Sequence, residues 1–252
     1  DASYNLRYGD FKARISGYYT RIYDQSKVIS YYDDVAATFT NFAMSIDKVH
    51  FGLEAAVSIP IYHTLALNGA VSWGQYTYDS NPYYLQTQDN SGDIVSDGYV
   101  YWKDFRVEST PQTAVNVGLS WRSNNNIYLS ADFNYYNNMY LSMSPIYRTD
   151  AVITGGMAPG DIEHLRRQEK FDSAYTLNAS IGKNWYIHRK YTLGFSLDVK
   201  NILNNQDIKT GGYEQTRLSK NTETTVTTYQ AFDSKYFYMF GTTYYLNLYF
   251  RF

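Results

Sequence analysis

Acid–base and metal-binding chemistry would fall first to the four histidines, His50, His63, His164 and His188, and these are scattered along the chain rather than spaced for a shared task. No serine-nucleophile elbow, paired zinc histidines, phosphate loop or dinucleotide fingerprint accompanies them. The chain has no cysteine, which excludes disulfides, thiolate metal sites and cysteine nucleophiles. One local cluster, Asp161, Glu163 and His164, offers donors for a cation. Arg166, Arg167, Glu169 and Lys170 follow it closely, so a solvated charged loop fits that stretch better. The expectation is a protein without catalytic, metal or cofactor chemistry.

Aromatic rings are the more abundant resource, with 29 tyrosines and 13 phenylalanines in 252 residues. Tyr31, Tyr32 and Phe39, then Tyr83, Tyr84, Tyr99, Tyr101 and Trp102, then Tyr147 fall in long polar stretches. There they could stack on sugars or peptides, because rings give large contact area at low entropic cost. Of these, Tyr83, Tyr84, Tyr99, Tyr101, Trp102 and Tyr147 are the candidate ligand-binding residues. The competing reading is that the same rings pack the connections against one another. Charge adds little: 22 basic against 24 acidic residues leave a formal charge of −2, which is no footprint for nucleic acid.

The elements that must carry these rings are strands. Period-two alternation recurs in segments of about ten residues, the length a tilted strand needs to cross a hydrocarbon layer. Tyr191, Leu193, Phe195, Leu197 and Val199 alternate with Thr192, Gly194, Ser196, Asp198 and Lys200. Similar segments run through Phe11–Tyr19, Val49–Ile59, Leu65–Trp73, Val115–Trp121, Ile127–Tyr135 and Tyr175–Ile181. A short first strand near Ser3–Tyr8 and a long last one from Tyr236 to Phe252 bring the count to about nine. No run of about 18 apolar residues offers a transmembrane helix. Many aromatics combined with a mean hydropathy of −0.46 suit a transmembrane β-barrel, whose outward face is apolar and whose lumen face is polar.

The connections alternate short and long, as in such barrels. Short turns are expected at Gly9-Asp10, Pro60–His63, Arg122–Asn126 and Tyr186–Lys190, and long loops at 25–46, 79–111, 141–173 and 204–234. Trp121 and Tyr191 would stand in a periplasmic aromatic girdle, and Trp73 and Tyr135 in an external one. Lys12, Arg14, His50, Glu54, Asp132, Asp198, Lys200 and Arg251 fall on the lumen face. An even strand number is the rule for single-chain bacterial barrels, so about nine strands suggest a piece of a larger one.

Two stretches carry a family resemblance. The terminal strand, Phe237 to Phe252, resembles that of TonB-dependent outer-membrane receptors, with Tyr244, Leu246, Leu248, Phe250 and Phe252 as the signal that the barrel-assembly machinery recognises. Asp198-Val-Lys-Asn-Ile-Leu-Asn-Asn205 is similar to the family's penultimate strand, with Lys200 and Ile202 departing in detail. Gly211-Gly-Tyr-Glu214 and Ser234–Phe237 resemble Bacteroidetes receptors that carry a carboxypeptidase-like regulatory domain. The resemblance implies a C-terminal part of a 22-stranded barrel, one domain over 1–252, with the N-terminal plug and TonB box lying outside this sequence. It implies import of a scarce or bulky nutrient such as a glycan, peptide or chelate. The implied partners are outer-membrane lipid, the TonB complex and a surface lipoprotein, with no cofactor. The competing readings are a small stand-alone barrel acting as a porin or structural surface protein, and a soluble β-protein.

Overall fold

In the computed structural model, residues 1–33, 38–89, 91–108, 110–154, 162–163, 165–188, 190–221 and 228–252 are described. The chain is all-β and antiparallel. Its strands are β1 (Ala2–Tyr8), β2 (Phe11–Asp33), β3 (Thr38–Tyr62), β4 (Leu65–Tyr78), β5 (Tyr83–Gln88), β6 (Ile94–Tyr99), β7 (Thr113–Arg122) and β8 (Ile127–Asn137). They continue as β9 (Ala174–Ile187), β10 (Tyr191–Lys200), β11 (Lys209–Tyr213), β12 (Leu218–Asn221), β13 (Thr228–Ala231), β14 (Lys235–Tyr238) and β15 (Thr243–Arg251). A 3-10 turn (Ile146–Arg148) and the five-residue helix α1 (Asp150–Thr154) interrupt the third connection.

Nine strands form one continuous sheet in the order β1-β2-β3-β4-β7-β8-β9-β10-β15. The expected turns join them, except that β3 runs through Tyr62 and turns only at His63-Thr64, with a register irregularity at Pro60. Register turns the sequence alternation into two surfaces. Ile15, Ala55, Val71, Val115, Tyr135 and Tyr175 lie in one row across six strands, and Leu65, Trp121, Leu129, Ile181, Leu197 and Leu246 lie in another. The opposite face carries Arg14, Ala56, Ala70, Asn116, Asn134 and Thr176 in a single row. There Asn116 Nδ2 donates to Asn134 Oδ1 at 2.8 Å, and the Ser130 and Ser180 hydroxyls meet at 2.8 Å. The eight charged or imidazole residues expected on this face all stand on it. The sheet does not close: β1 and β15 each pair on one side only among the described residues. Every step along the path is antiparallel, so these two edge strands run in the same direction.

Close packing on the polar face has a repeated form. Tyr18 lies against Gly52 on the next strand and Gly74 on the one beyond, Tyr128 against Gly182, and Tyr249 against Gly194, each side chain filling space that a Cβ at the glycine would take. An alanine at Gly182 therefore meets the Tyr128 ring. Overpacking of this kind costs about 1–3 kcal/mol. Equilibrium urea unfolding is expected to show that loss for Gly182→Ala, and recovery of most of it in Gly182→Ala/Tyr128→Ser.

Two expectations for the outer elements are corrected. The stretch 25–46 is not a loop: β2 and β3 remain paired from Gln25↔Ile46 to Asp33↔Thr38, beyond a bulge between Ile22 and Gln25. Asp24 adopts a left-handed φ of 53° at that bulge, which shifts the alternation of β2 by one residue and disguises it in the sequence. The last strand is not continuous from Tyr236. β14 pairs with β11, and only β15 joins β10 in the wall.

Candidate functional site

Every long connection gathers at one end of the sheet, and the prolonged β2–β3 hairpin is what they gather on. Beyond the bulge its polar-side positions become apolar: Phe42, Met44 and Ile46 continue the face that carries His50 and Glu54 lower down. Tyr78 at the end of β4 and Tyr84, Val100 and Trp102 from the second connection pack on them, with Met143, Ile146, Tyr147, Val152 and Leu165 from the third. Phe42 and Tyr84 stack with ring centroids 4.4 Å apart, and Tyr78 meets Trp102 at 4.7 Å. β5 joins this assembly as a further strand on β3, and β6 pairs with β5. A second small cluster of Met139, Leu141 and Phe171 adjoins it.

This core divides the six candidate ligand-binding residues. Tyr84, Trp102 and Tyr147 are only 2%, 0% and 1% exposed; they hold the connections together, and no ring face is left for a ligand. Tyr83, Tyr99 and Tyr101 are exposed on the outer side of the β5–β6 hairpin. Tyr83 and Tyr99 meet edge to face at 5.3 Å. The Tyr83 hydroxyl donates to Asp97, the Tyr101 hydroxyl bonds Asp150, and Asp150 Oδ2 accepts the Tyr99 amide at 3.2 Å. Tyr83 and Tyr101 are thus anchored through their hydroxyls, and all three rings stay exposed. In the first connection Tyr31 packs against the core, while Tyr32 and Phe39 form an exposed edge-to-face pair at 5.4 Å. Tyr244, Leu246, Leu248, Phe250 and Phe252 are all exposed on the apolar side of β15 or just past its end.

Charges buried within the connections escape any local reading of the sequence. Arg148 donates to both oxygens of Glu214, at 2.5 and 2.8 Å, and to the carbonyls of Ser144 and Leu165. Glu214 also accepts the Ser144 amide at 2.8 Å. Both side chains are buried and fully paired. Burial pushes the Tyr147 phenol up to about 12; its hydroxyl donates to the Arg217 carbonyl at 2.6 Å. Glu108 accepts the Tyr78 hydroxyl at 2.6 Å and lies 3.5 Å from Lys27 Nζ. Lys27 in turn stands over the Trp102 ring, and Lys48 over Tyr78. No spacing rule announces the carboxylate contacts, because Tyr78–Glu108, Arg148–Glu214 and Lys27–Glu108 lie 30, 66 and 81 residues apart.

Asp161 and His164 of the suggested cation cluster lie outside the described residues, and Glu163 pairs with Arg167 at 2.7 Å. Among the described residues no three His, Asp or Glu side chains are grouped to share a metal ion. No protein-family model matches the chain, and no curated protein sequence matches it.

Burial by itself raises the Glu108 carboxyl, but Lys27, the Tyr78 hydroxyl and Lys48 outweigh it and hold the group below its ordinary range. A carboxyl depressed in the folded state contributes stability that is complete above its unfolded value, about 4.3, and is lost as pH falls through the lower folded value. Near-ultraviolet circular dichroism of the packed rings is therefore expected to fade only below about pH 4. Glu108→Gln is expected to weaken that signal at pH 7 and to flatten the acid transition.

Proposed function

We propose that this chain is part of the wall of a bacterial outer-membrane β-barrel of the TonB-dependent receptor type, with external connections that recognise a scarce or bulky nutrient for import. One observation carries the reading. Among the described residues the lower part of the nine-strand sheet has no buried core on either side: the buried clusters belong to the connections and to the far ends of β3 and β4. Ile15, Leu53, Val71, Trp73, Val117, Leu119, Leu129, Phe133, Ile181, Leu193, Leu246, Leu248 and Phe250 all stand exposed on the same face. Half-exposing such a side chain to water costs about 1 kcal/mol. Thirteen together therefore approach the whole stability of a typical domain, about 5–15 kcal/mol. Hydrocarbon removes that cost and tolerates the polar face only when it lines a lumen.

The parallel sense of β1 and β15 supports a composite wall. Joining them to each other, or edge to edge between two copies in the same orientation, gives a parallel pair, which the even-stranded bacterial single-chain barrels do not use. An odd number of further strands between them restores antiparallel pairing throughout. The receptor assignment rests on the terminal strand and on Asp198–Asn205, which also bring in the barrel-assembly machinery, the TonB complex and a surface lipoprotein as partners. Within this reading Tyr83, Tyr99 and Tyr101 are the ligand-contacting set, since their rings are exposed.

The test is the location and size of the native polypeptide containing this sequence. Outer-membrane fractionation followed by intact-mass measurement is expected to find it in the outer membrane, several times heavier than 29.2 kDa. A 29 kDa membrane species would replace the receptor with a stand-alone barrel, and a water-soluble native protein would remove the membrane reading altogether.

A further inference from the structure

The fourth connection is attached differently from the others. The β10–β15 ladder stops at Lys200↔Thr243, and the chain leaves the wall on both sides before pairing again as β11–β14 from Lys209↔Tyr238. Asn201 marks the departure with a left-handed φ of 51°. Its side-chain amide donates to the Asn205 and Phe240 carbonyls, both at 3.0 Å, while its Oδ1 accepts the Asn205 amide. One buried asparagine thus ties both legs of the β11–β14 sheet at a common base.

Beyond that base, the contacts holding β11–β14 down are mostly polar among the described residues. The main apolar core is built from the β2–β3 extension and the next two connections, and among the described side chains of the fourth only Ala231 touches its margin. What holds the sheet is the Arg148–Glu214 pair, the Ser142–Gly212 and Glu214–Ser142 backbone bonds at 3.2 and 2.9 Å, and a second pair between Lys209 and Glu169 at 3.1 Å. Tyr236 adds a hydrogen bond to the same Glu169 at 2.8 Å and a partly buried ring against Phe171.

Polar contacts of this kind are exchanged for water on separation and contribute little net free energy. A buried ion pair is close to neutral against its two solvated partners. The apolar core offers no such exchange. We infer that the β11–β14 sheet is a hinged flap, pivoting at the Asn201 clasp and latched shut by Arg148–Glu214 over the third connection. This does not depend on the membrane reading; if the sheet is part of a barrel wall, the flap lies on the lumen side of its mouth.

Ser144 gives the direct test, because its amide is bonded to Glu214 and its Oγ is buried without a partner in the latched state. The native chain has no cysteine, so Ser144→Cys introduces a single thiol. In the native protein, a small maleimide is expected to label it at least tenfold faster than Val100→Cys, whose site is sealed in the apolar core. Adding Glu214→Gln should speed labelling at position 144 and leave position 100 unchanged. Hydrogen exchange of the Glu214 amide against that of Tyr101 makes the same comparison without substitution, should a variant fail to fold. Equal protection of the two sites, or no effect of Glu214→Gln, would make the pair a static strut and overturn the flap. Neither outcome bears on the cellular location or mass of the native protein.

Discussion

Leu53, Val71, Val117, Leu129, Leu193 and Leu248 stand on six strands of the sheet and face the same way, and among the described residues no element covers them. Strand pairing forces this arrangement. Once the backbone hydrogen bonds fix register, a side-chain period of two sends every second residue to one surface, and a one-residue slip would exchange the leucine rows for Arg14, Glu54, Asn116 and Asp132. The polar rows are knit across strands by asparagine and serine contacts and by tyrosines set against glycines. The apolar rows have only each other and whatever solvent they meet, so the choice of solvent decides whether the sheet is stable.

At the far end the same backbone rule gives a different result. The bulge at Asp24 and the unbroken run of β3 carry two strands well past the wall, and their polar-side positions become Phe42, Met44 and Ile46. The connections find an apolar surface there and fold onto it. Packing then brings buried charge under control: Glu108 is held by two lysines and a phenol, and Arg148 by a matching carboxylate and two carbonyls. Fully paired groups of this kind add little to stability but fix one arrangement against its alternatives, since leaving either partner alone in the interior costs several kcal/mol.

Much of the wall was legible in the sequence because alternation is a local signal. All nine wall strands, three of the four short turns and the sorting of Lys12, Arg14, Asp132 and Asp198 to the polar face follow from it. The β2–β3 extension was hidden because the bulge reverses the parity of β2 near Tyr23. The break at Met239–Thr242 was hidden because Tyr236–Tyr238 and Tyr244–Phe252 share an alternation that spans the gap. The candidate site was half legible. Aromatic residues in polar stretches were the right class to examine, but composition cannot separate Trp102, which the core encloses, from Tyr99, which it leaves open. The ion pairs depend on contacts across tens of residues and leave no local trace.

The central claim is that the apolar face meets hydrocarbon, and the tryptophans are placed to test it. Trp73, Trp121 and Trp185 stand exposed on that face, whereas Trp102 is enclosed among the connections. Reconstituting single-tryptophan variants of the native protein into bilayers with brominated acyl chains measures contact with lipid directly. Strong quenching of the fluorescence at positions 73, 121 and 185, with none at 102, is the predicted result. Unquenched tryptophans at the three exposed positions would mean that protein or water covers this face, and the account of the sheet as a membrane wall would be wrong.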